Sequence, residues 1–283
     1  MPYCLIFPGQ GTQFPGMSKG LRLHGALTED LVRLMEQGPE DELNQTRNAQ
    51  PAVLSVCNAL WEDSGYTRPE IVMGHSLGEY MALVASGALP FEKALDLVHN
   101  RAACMAVAQP AGTGGMAAVI GLPAQEVRSV LEGVDDVWIA NNNGAGQVVI
   151  SGRRSALPDI MERLKERGAK RVVPLKVEVA SHCPLMEPAQ NALKIHLDQS
   201  PFARPEARIV FNATAREASD PGEIRKLLAD QLTSPLLWEE SVLHVARSGV
   251  THFIEIGPRS VLTSLVKRIV PGATIEVITS NEH

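Results

Sequence analysis

A chain of 283 residues, 45% hydrophobic and 20% charged, can bury a substantial core as one large or two unequal domains, which excludes disorder for the whole. The net charge of -6 excludes a general nucleic-acid surface, which needs excess Lys and Arg, so any anionic partner must meet a local patch. With no basic start, no bilayer-length apolar run and no C-x-x-C pair among Cys4, Cys57, Cys104 and Cys183, the expectation is a cytoplasmic protein with reduced thiols and no membrane contact.

Tyr3 to Phe7 is a short β-favouring run that ends at Pro8-Gly9, as a buried first strand followed by a Gly-rich loop would. Gln50-Pro51 opens a predicted helix to about Trp61, with proline in a first-turn position. Glu70 to Gly74 reads as a strand running directly into His75-Ser76-Leu77-Gly78 and a helix of small residues, Glu79 to Ala88. After a helix over Phe91 to Ala108, the segment Gln109-Pro110-Ala111-Gly112-Thr113-Gly114-Gly115 is the strongest linker signal. Then come strand Met116 to Ile120, helix Pro123 to Leu131, strands Val137 to Ala140 and Val148 to Ile150, helix Ser155 to Arg167 and strand Arg171 to Val177. That β-α-β-β-α-β order is the ferredoxin-like unit. From Pro184 onward, helices alternate with the runs Arg208 to Phe211, Thr251 to Ile256 and Thr274 to Ile278. The expected organisation is an α/β large domain in two parts, residues 1-112 and 179-283, with a small domain inserted over 113-178.

Gly74-His75-Ser76-Leu77-Gly78 fits G-x-S-x-G, in which a serine sits on a strained strand-to-helix turn and the glycines permit close backbone packing. An ordinary Gly-rich turn produces the same five residues, but Ile71-Val72-Met73 before them and the helix-forming run after them supply the required context. A serine hydroxyl needs a base within hydrogen-bond reach. Of eight histidines, His75 adjoins the serine with its side chain directed away, His99, His196 and His244 fall in helices, and His24, His252 and His283 have no supporting context. His182 remains, where the chain returns from the inserted unit, and spacing alone favours it only slightly. In the helix over Phe91 to Ala108, Arg101 falls within the apolar stripe of Ala94, Leu97, Val98, Cys104 and Met105. A guanidinium there needs an anion, unless it snorkels to water. A structural ion pair and a substrate carboxylate gripped by the planar fork both answer that need.

As a group, these residues resemble the malonyl-coenzyme A:acyl carrier protein transacylase family. The resemblance covers essentially the whole chain. It rests on Phe7-Pro8-Gly9-Gln10-Gly11-Thr12-Gln13, Gly74 through Tyr80, Arg101, Gln147 through Gly152, Ser181-His182, Gln231-Leu232-Thr233-Ser234-Pro235 and Glu255-Ile256-Gly257-Pro258. The segment between the first loop and Ser76 is shorter than in the fatty-acid enzymes of the family. The resemblance implies an α/β-hydrolase-like large domain with a ferredoxin-like insertion. It further implies Ser76 as nucleophile, His182 as base oriented by the backbone carbonyl of Gln231, and the backbone N–H groups of Leu77 and Gln10 as oxyanion donors. Arg101 would hold the free carboxylate of a malonyl group, and no resident cofactor is implied, the coenzyme A thioester being a substrate. Leu77 resembles malonyl-selective members, whereas Ser181 occurs in malonyl- and methylmalonyl-selective ones.

The implied partners are malonyl-CoA and an acyl carrier protein, usually acidic, for which Arg153 to Lys176 offers eight basic residues against three acidic ones. An ordinary solvated helix face has the same composition. Three rivals follow from the same residues. A serine hydrolase releasing acyl groups to water would share everything but the clamp at Arg101. A dinucleotide-binding loop would begin like Gly9-Gln10-Gly11, but Phe14 stands in place of its third glycine. A non-catalytic carrier-binding subunit would lack Ser76 or His182.

Overall fold

The computed structural model describes residues 2–177 and 179–280, so the expected boundaries at 1, 178 and 283, and with them His283, lie outside the described residues. In chain order the elements are β1 (Cys4–Phe7), α1 (Glu29–Gln37), α2 (Glu40–Leu43), α3 (Thr46–Ser64), β2 (Ile71–Gly74), α4 (Gly78–Ala85) and α5 (Phe91–Ala106). There follow β3 (Gly114–Ile120), α6 (Ala124–Val130), β4 (Val137–Asn142), β5 (Gln147–Arg153), α7 (Leu157–Glu166) and β6 (Arg171–Pro174). The remainder is α8 (Glu187–Asp198), β7 (Arg208–Phe211), β8 (Arg216–Glu217), α9 (Pro221–Asp230), β9 (Leu236–Leu237), α10 (Trp238–Arg247), β10 (His252–Gly257), α11 (Thr263–Ile269) and β11 (Thr274–Thr279).

The larger sheet has the order β11-β10-β1-β2-β7-β8, parallel except for the hairpin partner β8. Its strands read as unbroken apolar runs because both faces are covered. Leu5, Phe7, Val72 and Ile209 face a core built with α3, α4, α5 and α8. The alternate residues Cys4, Ile6, Ile71, Met73 and Val210 pack against Trp238, Val242 and Val245 of α10 and Leu265 and Val266 of α11. The α/β-hydrolase-like reading of this layer holds.

The smaller sheet has the order β6-β3-β5-β4-β9, its first four strands antiparallel in the ferredoxin-like arrangement with α6 and α7 on one face. Its fifth strand, β9, comes from the chain after residue 179 and pairs in parallel with β4 through Asn141↔Leu236 and Asn142↔Leu237. The large domain therefore contributes a strand to the small one. The opposite face of this sheet carries Met116, Ala140 and Val149, and it roofs a cleft over the larger sheet.

Two expected elements are corrected. α3 begins at Thr46, not at Gln50, and Pro51 lies inside it. Proline there removes one backbone bond, but Ala49 through Leu60 are buried, and that packing outweighs the loss. β6 ends at Pro174, short of Val177, because it pairs only with β3 and that register closes at Ala117↔Pro174.

Candidate active site

The register of β1 against β2 ends at Phe7↔Gly74, which sets the loop Pro8-Gly9-Gln10 beside the turn carrying Ser76. Ser76 has φ 54°, the left-handed region that a non-glycine residue occupies only under constraint. The glycines around it are sterically required. A Cβ on Gly74 would fall inside the backbone of Gly78, and one on Gly78 would overlap the carbonyl of Phe7. Gly9 is pressed as closely, its Cβ position only 2.6 Å from the carbonyl oxygen of His75. Asn212, just beyond β7, pins the turn by accepting from the Ser76 N–H at 2.8 Å and donating to the Gly74 carbonyl at 2.7 Å.

His182 reaches this serine from the return segment after β6. Its Nε2 lies 2.9 Å from Ser76 Oγ, and its Nδ1 lies 2.8 Å from the main-chain oxygen of Gln231. A carbonyl can only accept, so the ring proton belongs on Nδ1 and Nε2 presents its lone pair to the serine. Linker residue Gln109 holds the return segment by donating to the Ala180 carbonyl at 2.8 Å and accepting from the Ala180 N–H at 3.1 Å.

Arg101 is 1% exposed, and its fork reaches the same serine. Nη1 donates to Gln50 Oε1 at 2.7 Å, while Nη2 donates to Gln231 Oε1 at 3.0 Å and to Ser76 Oγ at 3.1 Å. All three acceptors are neutral, and Nε has no acceptor among the described residues. Gln10, His75, Ser76 and His182 line one cavity of about 330 Å³ with Met116 and Val149 of the small sheet. Among the described residues, neither the Gln10 nor the Leu77 backbone N–H donates to a protein acceptor. The structure thus gathers Ser76, His182, Gln231, Arg101, Gln10 and Leu77 in one place, with a serine between an imidazole nitrogen and a buried cation.

The model of the acyl transferase domain matches residues 4–279. The chain belongs to the acyl transferase domain family. It is 39% identical to the malonyl CoA-acyl carrier protein transacylase of Salmonella typhimurium over 98% of this chain and 95% of that one. It is also 39% identical to the solved acyl-carrier-protein S-malonyltransferase of Burkholderia pseudomallei, with a TM-score of 0.93 over 99% of this chain and 97% of that one. A second similar structure is a type II PKS acyl-carrier protein in complex with its malonyl-transacylase, with 36% identity and a TM-score of 0.91 over 100% of this chain and 97% of that one.

Within this acyl transferase, several residues around the serine escaped the sequence. Gln231 acts through its side chain as well as its carbonyl: Nε2 donates to the Ser76 carbonyl at 2.9 Å and to Glu79 Oε2 at 2.6 Å. Glu79 is wholly buried, and its other oxygen accepts the Asn212 N–H. Neither Gln50, read only as a helix start, nor Asn212, which follows the apolar run of β7, carried a sequence signal for the site. His75 also lines the cavity, its Nε2 3.0 Å from Asn143 Oδ1 and its ring edge-on to Trp238 at 5.4 Å.

Burial pulls the His182 imidazole down to about 3, a shift opposed by its bond to the Gln231 carbonyl and reinforced by the nearby positive charge of Arg101. Two consequences have a definite sign. The imidazole stays neutral far below the ordinary 6.5, so acylation that uses its lone pair should show no acid limb near that value; quenched-flow rates at pH 5 and pH 7 should agree within about twofold. A midpoint near 6.5 would contradict the burial argument. For stability, the unfolded chain takes up this proton first as pH falls from 6.5 towards 3, so His182 destabilises the fold progressively over that window. Burial also pushes the Glu79 carboxyl up, against the N–H groups of Asn212 and Gln231 that donate to its two oxygens and favour the carboxylate.

Proposed function

We propose that this acyl transferase moves a malonyl group from coenzyme A to the phosphopantetheine thiol of an acyl carrier protein through an ester on Ser76. One observation carries the choice of acyl group. The guanidinium of Arg101 is buried one hydrogen bond from the nucleophile, and its contacts are to neutral groups. Stripping a guanidinium of water costs several kcal/mol unless an anion meets it, and the free carboxylate of a malonyl thioester brings one. The relatives and solved structures named above point the same way, and they favour transfer over release to water.

Ser76 Oγ attacks the thioester carbonyl as its proton passes to His182 Nε2, while the Gln231 carbonyl holds the imidazolium through Nδ1. The backbone N–H groups of Leu77 and Gln10 face the developing oxyanion, each such donor contributing about 3 kcal/mol. Collapse expels the coenzyme A thiolate, which takes the proton from His182. The carrier thiol then gives its proton to His182 and attacks the ester; as the ester C–O bond breaks, His182 returns that proton to Ser76 Oγ and both residues are restored. The reaction as written needs no metal or redox cofactor. Its expected place is the cytoplasm, in keeping with four unpaired thiols.

Carrier docking is assigned to the edge of the small domain. Of the eight basic residues over 153–176, Arg153, Lys165 and Arg167 are paired with Asp136, Glu162 and Glu126, and Arg163 donates to the Val130 carbonyl. Lys170 and Arg171 stand at the exposed β6 edge, and Lys176 lines the active-site cavity. The positive surface is therefore narrower than composition suggests, and Lys176 carries it to the cleft.

Intact-protein mass spectrometry tests the reading. Malonyl-CoA should leave a malonyl adduct on the protein and none on Ser76→Ala, and pantetheinylated carrier should discharge that adduct far faster than water does. Equal lifetimes with and without carrier would make the protein a hydrolase.

A further inference from the structure

Gln231 stands at the junction of recognition and catalysis. Its main-chain oxygen accepts from His182 Nδ1–H, its Oε1 accepts from Arg101 Nη2, and its Nε2 donates to the Ser76 carbonyl and to Glu79. A carboxamide has two orientations of nearly equal shape, and only its partners choose between them. Turned over, Oε1 would face two acceptors, the Glu79 carboxylate and the Ser76 carbonyl, and the NH2 group would face a guanidinium.

Glu79 is the strongest of these partners because it is charged and held from both sides. It lies in the first turn of α4, three residues after the nucleophile, with no exposed surface. Oε1 accepts from the backbone of Asn212, so the carboxylate cannot swing away from Gln231 without abandoning a buried N–H. The same carboxylate lies one carboxamide away from Arg101 and is not in contact with it. Guanidinium, carboxamide and carboxylate form a row in which the two charges are separated by one neutral amide. Direct pairing of Glu79 with Arg101 would neutralise the cation that the substrate needs. Separation by Gln231 fixes the cation and leaves its charge available.

Taking the transfer reading as its basis, we propose that Glu79 is a positioning residue that acts through Gln231, holding Arg101 towards the substrate carboxylate and the Gln231 carbonyl towards His182. Both of its oxygens accept N–H bonds, which favours the carboxylate over the neutral acid that burial alone would favour.

A double-mutant cycle with Glu79→Gln and Gln231→Ala tests the proposal, because Gln231→Ala removes the side chain and keeps the carbonyl that His182 uses. The readouts are kcat/KM for acylation by malonyl-CoA and by acetyl-CoA, with folding checked by circular dichroism. In Glu79→Gln, whose carboxamide can turn an N–H towards Gln231 Nε2, malonyl kcat/KM should fall roughly ten- to a hundredfold and malonyl-over-acetyl selectivity roughly tenfold. In the Gln231→Ala background the same change should cost less than about twofold further. Multiplying effects, or slowing of both donors with unchanged selectivity, would reduce Glu79 to a structural residue and overturn the proposal. Should Glu79→Gln not fold, Glu79→Asp, which withdraws the carboxylate by one methylene, takes its place in the cycle with the same criteria. Failure of the wild type to form any malonyl ester would instead count against the transfer reading itself.

Discussion

Replacing His182 by asparagine is expected to slow formation of the Ser76 ester by roughly four to six orders of magnitude while leaving the protein folded. Asparagine suits this position because His182 has φ 59°, a conformation that alanine tolerates less well. The size of the effect follows from the direction of each hydrogen bond at the serine. Arg101 can only donate to Ser76 Oγ, so it orients the hydroxyl without being able to take its proton. Among the described residues, Nε2 of His182, at 2.9 Å, is the one acceptor placed to do so, and its tautomer is set by the Gln231 carbonyl. Without it the hydroxyl must lose its proton to water, although oxyanion donors and substrate binding persist. Single-turnover acylation, read by quenched mass spectrometry, gives the rate; a variant retaining a tenth of wild-type activity would mean that another group serves as base.

Arg101→Ala should lose malonyl transfer by about 2 to 5 kcal/mol in kcat/KM, or roughly 30- to 5,000-fold, the usual cost of truncating one partner of a buried charged pair. Acetyl-CoA provides the internal control. An acetyl group brings no carboxylate, so its transfer never gained from the clamp, and the variant should favour acetyl over malonyl. The lost guanidinium also releases Gln50 Oε1, Gln231 Oε1 and Ser76 Oγ from their bonds, a disturbance both donors feel alike. The ratio of the two donors therefore isolates recognition from general damage. Unchanged selectivity in Arg101→Ala would place the carboxylate elsewhere.

The turn around Ser76 was legible because its cause is local. Gly74 and Gly78 are needed where any side chain would overlap backbone, and such a constraint leaves its mark within five residues. The buried strands were legible for a similar reason, since a parallel sheet covered on both faces demands unbroken apolar runs. Arg101 could be singled out because a charge in an apolar stripe breaks a helical pattern that is visible within one helix.

What surrounds the serine could not be read this way. His182 was one of eight histidines and lies 106 positions from Ser76; Gln231 lies 155 positions away. Gln50, Glu79 and Asn212 break no local rule, and their role exists only once α3, α4 and the end of β7 converge. Nor could the sequence tell whether the anion answering Arg101 belongs to the protein or to a substrate. Local sterics and burial write themselves into short stretches of chain, so the sequence alone determined the buried strands and main helices, the strained serine and the misplaced cation, but not short elements such as β8 and β9. Hydrogen-bond partnership depends on distance and direction between remote backbones, so only the tertiary structure decided which imidazole faces the serine and that neutral amides hold the guanidinium.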